Sequence, residues 1–322
     1  MALRCLAGGA CHYKEPFIAS DDAAGHSAAF FGEQRDYWWN RDFLDLVVAR
    51  LGLGTARSVL DVGCGLGHWS RELARVLPGV TEITGVDPDP FWVRQARLTT
   101  DEKASIGTAV IQGRGEDLPF PDSQFDLVTC QTVLIHVPDV VSVLREMGRV
   151  VRPGGTVLLA EPNNLAGHLV RTRGPEQSDA RALTSALAFY STCEAGKIAL
   201  GEGDNSVGDL LPGLVAEAGL AVAACYLSDK ASPLWPPYSS PEQSALVEAL
   251  EASVKAERCP WSREETRRYF LAGGGEDGEF REAWAERLGE IRADLAALHS
   301  GRLSTGGGQL MYLIAATKSE GT

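Results

Sequence analysis

Apolar residues in the first half of the chain gather into two alternating rhythms. Compact runs in "RSVLDVG", "TEITGVD", "TAVIQG", "FDLVTC" and "TVLLAEP", spanning 57–63, 81–87, 108–113, 125–130 and 156–162, are bounded by turn residues and read as buried strands. Between them the spacing shifts to three and four. "GHWSRELARVL" follows the first strand, and "VVSVLREMGRVV" sets Val140, Leu144, Met147 and Val151 on one helical face behind the N-cap candidate Asp139. Pro78 and Gly79 end the first of these helices, and Pro90 suits the first turn of another. One more amphipathic helix is expected across 33–51, where Phe43, Leu46, Val47 and Leu51 recur behind Tyr37, Trp38 and Trp39. Strands alternating with helices predict an α/β fold with a parallel sheet covered on both faces. Its ligands sit at the carboxyl ends of the strands, where the strand order reverses.

Beyond Pro162 the rhythm breaks. Residues 163–205 are rich in Ala, Gly and polar residues with helical stretches. "GDLLPGLVAEAGL" and "AVAACYLSD" then restore one helix and one strand, and "GQLMYLIAATK" supplies a last strand. Within the intervening stretch Phe280, Trp284, Leu288, Ile291 and Leu295 share a helical face. The expected organisation is a lid segment at 1–40, a core at 41–162 continued at 206–230 and closed by 306–322, and helical cap insertions at 163–205 and 231–305 over the ligand edge.

The stretch "SVLDVGCGLGHWSREL", residues 58–73, raises the chemical question. Strand, glycine loop and helix together bring backbone amides against a nucleotide. Here Asp61 stands before Gly63, Gly65 and Gly67. An acid in that place is a poor neighbour for a pyrophosphate and a good partner for an ammonium group, which favours S-adenosylmethionine over a dinucleotide. Side chains are expected to be missing between Val62 and Leu66 because that ligand lies flush against the main chain. Asp87, about 20 residues past the loop at the end of the second strand, is placed to take both ribose hydroxyls; dinucleotide enzymes use the same device.

Charge narrows the partners. The 322 residues carry 43 acidic and 30 basic side chains, a formal charge of −13, which repels phosphate backbones. The most basic stretch, "SREETRRYF" at 262–270, alternates in sign and reads as a solvated helix face, so no nucleic-acid partner is expected. No apolar run approaches the ~20 residues needed to cross a bilayer, and the start of the chain is a poor secretory signal. A cytoplasmic protein with no membrane partner is expected, as a monomer or homodimer. Seven cysteines without a CxxC pair suggest neither disulfides nor zinc, Cys193, Cys225 and Cys259 match no metal spacing, and no metal site is expected.

"VLDVGCGLG", "GVDPDP", "EDLPFPDSQFDLVTCQTVLIHVPD" and "LREMGRVVRPGGTVLLAEP", in this order and spacing, together resemble the class I S-adenosylmethionine-dependent methyltransferases, especially the group that includes ubiquinone and menaquinone biosynthesis methyltransferases. The resemblance covers roughly residues 40–162. It implies a Rossmann-like seven-stranded sheet whose last strand is antiparallel, and a reaction that leaves S-adenosylhomocysteine. It also implies that Asp61, Gly63, Cys64 and Gly65 line the methionine moiety, Asp87 the ribose, Pro88 one adenine face, Gly115 and Glu116 the adenine edge, and Gln131 the sulfonium. Arg114 stands where such enzymes often carry an acid for the adenine amino group.

Methyl transfer from a sulfonium is an in-line displacement, and a hydroxyl acceptor needs a general base. His136, after the fourth strand, is the candidate, with a local turn role as the alternative. Tyr37 is expected to close over the cofactor. Trp38, Glu161, Asn163, Tyr190 and Trp235 are the candidates for touching the acceptor, against ordinary packing or turn roles. A small-molecule acceptor is the expected reading. A protein or tRNA acceptor, or a cofactor-sensing binding module without turnover, are the alternatives.

Overall fold

Each apolar run carries residues for both faces of one sheet. The computed structural model describes residues 33–99, 105–174 and 180–318; the expected lid segment lies mostly outside them. Its strands are β1 (Ser58–Val62), β2 (Glu82–Asp87), β3 (Gly107–Gln112), β4 (Phe125–Gln131), β5 (Val151–Asn163), β6 (Thr172–Arg173), β7 (Leu220–Leu227), β8 (Ser304–Thr305) and β9 (Leu310–Lys318). Seven form one sheet in the order β3-β2-β1-β4-β5-β9-β7, while β6 and β8 pair separately. Strands β1 to β5 run parallel. β9 runs antiparallel to both β5 and β7, so the last strand of the chain is the reversed one, as expected, and it is inserted between them.

Alternation within β1 explains why its run is continuously apolar. Val59 packs with Phe43, Leu44 and Val47 of α1 (Arg41–Arg50) and with Trp69, Leu73 and Ala74 of α2 (His68–Val76). On the opposite face lie Leu60 and Val62. They pack with Val143, Leu144 and Met147, one turn and a half of the helix that follows β4. Along the edge beyond β2 runs α3 (Pro90–Gln95); the helix after β4 is α4 (Val140–Val150), and a single turn, α5 (Asn164–Gly167), follows β5. Fully burying each such leucine contributes about 1.5–3 kcal/mol, which holds helices to both faces.

Two expectations on boundaries change. The helix expected across 33–51 is divided into a 3-10 turn at Glu33–Tyr37 and α1, because Asn40 takes an extended conformation at the N-cap and Trp39 turns inward onto Trp69, 5.2 Å between ring centres. The strand expected at 156–162 begins five residues earlier and runs through "RPGG" with an irregularity in the ladder: Phe125 pairs with Val151, and Leu127 already pairs with Thr156.

The remaining helices are α6 (Ala180–Ala199), α7 (Leu211–Glu217), α8 (Pro241–Lys255), α9 (Arg263–Ala272) and α10 (Asp277–His299). α7 belongs to the sheet, packing Leu211 and Val215 on the α4 side. A second core unites α6, α9 and α10 through Phe189, Tyr190, Tyr269, Phe270, Phe280 and Trp284. α8 joins α10 through a smaller cluster around Leu246, Leu250 and Leu298. Ser240 and Ser262 open α8 and α9 with capping boxes, so both helix starts are locally specified. Among the described residues no helix is long and apolar enough to cross a membrane.

Candidate functional site

β1 and β2 end side by side and deliver two carboxylates to the sheet's carboxyl edge. The loop after β1 is pinned to β2: Gly63 N and Cys64 N both donate to Val86 O, at 2.7 and 3.1 Å. Asp87 then grips the loop from beside it, its Oδ2 accepting from Gly65 N and its Oδ1 from Asp89 N, each at 3.0 Å. Ser70 of α2 donates its hydroxyl to Asp61 Oδ2 at 2.5 Å. Asp61 and Asp87 are both buried, yet both line a cavity of about 680 Å³.

The bare backbone of this loop has an internal cause as well as an external use. A Cβ on Gly63 would lie 2.5 Å from Val133 Cγ2, and one on Gly67 would lie 2.3 Å from Arg97 O. These two glycines are therefore kept by the protein's own packing, which corrects the expectation that a ligand alone explains the missing side chains. Gly85 on β2 is bare for the same reason, since a Cβ there would meet the Cys64 sulfur at 2.6 Å.

Burial raises the carboxyl of Asp61 to about 7; the Ser70 hydrogen bond opposes this and the neighbouring Asp87 charge adds to it. Burial also raises Asp87, against the amides of Asp89 and Gly65. Arg35 lines the same space, donates Nη2 to Thr132 Oγ1 at 2.8 Å and covers the Trp38 ring at 4.6 Å. This end of the cavity thus presents crowded carboxylates that a cationic ligand would relieve and a pyrophosphate would aggravate.

The cavity extends past Gln131 and the 3-10 turn Leu134–His136 toward the helical insertions. His168, Asn205 and Trp261 close that far end. His168 stacks on Tyr190 with ring centres 3.5 Å apart and planes 4° from parallel. Burial, aided by the Arg287 charge, draws its imidazole down to about 4, so it is neutral at pH 7.

Of the residues singled out from the sequence, Trp38, Asp61, Gly63, Cys64, Gly65, Asp87, Pro88, Gly115, Glu116, Gln131 and His136 line this one cavity. Arg114 lines it too, paired with Glu116 Oε1 at 3.1 Å. Five others lie elsewhere. Tyr37 borders a separate cavity of about 170 Å³. Glu161 is fully buried, its Oε1 accepting from Val133 N at 2.8 Å and Leu134 N at 3.0 Å. Asn163 caps α5 and donates to Asp209 Oδ2 at 2.7 Å. Tyr190 stands behind His168 with its hydroxyl 3.1 Å from Cys259 Sγ. Trp235 is 54% exposed. Arg35, His168, Asn205 and Trp261 were missed; only His168 carried a usable signal, its place just past a strand's carboxyl end.

Glu161 gives the fold a pH slope. Burial raises its carboxyl to about 7 against the amides that hold it. Between pH 4.5 and 7 the folded chain keeps this proton while the unfolded chain has lost it, so stability falls as pH rises, by about 3 kcal/mol at ~1.4 kcal/mol per unit. Asp61 adds a slope of the same sign. Glu161→Gln is expected to remove the ~3 kcal/mol that Glu161 contributes over this range, leaving the fall due to Asp61 and the opposing rise due to His168, whose lowered imidazole gains stability as pH rises to 6.5. Denaturant midpoints of both proteins from pH 4.5 to 8 check this; parallel curves reject it.

Residues 60–159 match the family described as a methyltransferase domain. The demethylmenaquinone methyltransferase of Bacillus licheniformis is 36% identical over 122 residues, 38% of this chain and 52% of that protein. An uncharacterized methyltransferase, YcgJ of Bacillus subtilis, is 31% identical over 156 residues, 46% of this chain and 60% of its own. The chain thus spans about half the length of the curated relatives it matches. The crystal structure of YcgJ superimposes with a TM-score of 0.47 at 20% identity, covering 88% of this chain and 100% of that one. The glycine loop and both carboxylates that flank it, Asp61 and Asp87, lie within residues 60–159, the span that matches the methyltransferase domain family.

Proposed function

We propose that this chain is an S-adenosylmethionine-dependent methyltransferase that acts in the cytoplasm on a small-molecule acceptor. The observation that carries the reading is the buried pair Asp61 and Asp87 at one end of a cavity whose other end is closed by His168 and Trp261. Carboxylates held toward the neutral form by burial suit a ligand with positive charge and no phosphate. S-adenosylmethionine, when bound, supplies a methyl group already activated on a sulfonium. The two acids, the bare main chain of the loop and the volume of the cavity fit such a ligand.

The roles follow from placement. Asp87 accepts from the ribose hydroxyls, and Asp61 faces the ammonium end. The main chain of Gly63, Cys64 and Gly65 approaches the methionine portion, while Cys64 turns its sulfur toward β2. Pro88 covers adenine, Glu116 accepts from its amino edge, and Gln131 borders the reacting centre. Orientation does most of the catalytic work, up to about 7–11 kcal/mol where nucleophile and leaving group are held in line. Trp38 and Trp261 exclude water from the transfer. His136 takes the proton of a hydroxyl acceptor, and the neutral His168 supplies a hydrogen bond at the far wall.

A helical cap around the far end and a net charge of −13 favour a small acceptor over a polyanion. Calorimetry with S-adenosylhomocysteine is expected to give saturable binding where NAD gives none. A metabolite extract incubated with isotope-labelled S-adenosylmethionine is then expected to yield a labelled small molecule. Label in protein or tRNA fractions favours a macromolecular acceptor, binding without label favours a sensor, and NAD binding alone rejects the cofactor assignment.

A further inference from the structure

The turn that carries His136 is held from both sides by buried charges. From the sheet, Glu161 Oε1 accepts the amides of Val133 and Leu134 and lies 3.5 Å from the Cys130 thiol, while its Oε2 has no hydrogen-bond partner. From α6, Lys197, 1% exposed, donates Nζ to Ile135 O at 2.5 Å. The chain leaving α6 then crosses the turn in backbone contact: a Cβ on Gly203 would lie 2.5 Å from Ile135 O and 2.8 Å from Val137 N. Two residues later Asn205 lines the cavity, its Nδ2 donating to Glu194 Oε1 at 3.4 Å and its carbonyl accepting from Asn164 at 2.7 Å. The root of the cap and the cavity wall are therefore one packed unit.

We propose, resting on the methyltransferase reading of the cavity, that Glu161 and Lys197 clamp residues 133–136 between sheet and cap, and that Lys197 is the positioning residue through which the cap sets the wall bearing His136. Burial lowers the lysine to about 8 against the pull of Glu194, Asp204, Glu202 and Glu161, so at pH 7 it stays charged and keeps its donor. A buried ammonium on a carbonyl is a stiff tether, because breaking it strands a charge. Lys197 does not line the cavity; it acts through the turn.

Lys197→Met keeps the aliphatic stem and removes the donor. In hydrogen exchange with S-adenosylhomocysteine present, the peptide spanning 133–137 is expected to exchange at least tenfold faster than in the parent, with peptides of β1 and α2 unchanged. The dissociation constant of that ligand stays within threefold. With the acceptor found in the isotope screen, kcat falls at least tenfold while KM for S-adenosylmethionine stays within threefold. Unchanged exchange at 133–137 overturns the clamp, and so does a uniform rise in every peptide, which marks a merely structural lysine. If Lys197→Met does not fold, Glu161→Leu, which removes the acceptor of both amides, decides, with faster exchange at 133–137 supporting the clamp and none overturning it. Failure of the parent protein to bind S-adenosylhomocysteine sinks the functional reading instead, while exchange without ligand still judges the clamp.

Discussion

Asp87→Ala lowers the affinity for S-adenosylhomocysteine about 100-fold, the equivalent of 2–3 kcal/mol, if Asp87 accepts from the ribose. The size follows from what one side chain does. Its two oxygens accept from Gly65 N and Asp89 N, so it shapes the glycine loop as well as offering charge to a ligand. Alanine removes a charged acceptor from a buried place and leaves donors on both sides without it. Asp87→Asn keeps shape and one acceptor oxygen, and a loss of roughly tenfold is expected, between the two cases. Calorimetry on the three proteins separates them, with thermal unfolding as the control for folding. An alanine variant within twofold of the parent removes Asp87 from the ribose.

The second large effect lies where α6 meets α9. α6 and α9 cross so closely that a Cβ on Gly196 would sit 1.7 Å from Tyr269 O, and one on Gly273 would sit 2.0 Å from Thr192 O. Gly196 lies beside Lys197, which is tied to Ile135, so α6 cannot slide to make room without breaking that bond. Gly196→Ala is therefore expected to destabilise the chain by about 3 kcal/mol or more, at the upper end of what overpacking does. For a chain of 322 residues that lowers the unfolding midpoint by roughly 4–5 °C. S-adenosylhomocysteine affinity should fall far less than in Asp87→Ala, because α9 packs in the cluster it shares with α6 and α10, while β1 and β2 pack in the clusters on the two faces of the sheet. A midpoint within about 1 °C of the parent shows that the two helices are not in backbone contact.

The sequence by itself determined what local periodicity and turn chemistry encode. Compact apolar runs such as 58–62 specify buried strands, spacings of three and four specify α2 and α4, and Asp61 and Asp87 at strand ends announce a charged ligand edge. The reversal of β9 was legible through the resemblance of residues 40–162, and the described sheet has it. Only the tertiary structure decided which way strand-end and cap side chains face. Glu161 turns inward onto the amides of Val133 and Leu134, some 28 residues earlier. Gly63 and Gly67 are bare because Val133 and Arg97 occupy the space, and neither neighbour is local. His168, Asn205 and Trp261 meet at one cavity wall from three separate segments. Their spacing along the chain carries no period, since what joins them is the docking of α6 and α9 over the sheet, a long-range packing event that no local pattern encodes.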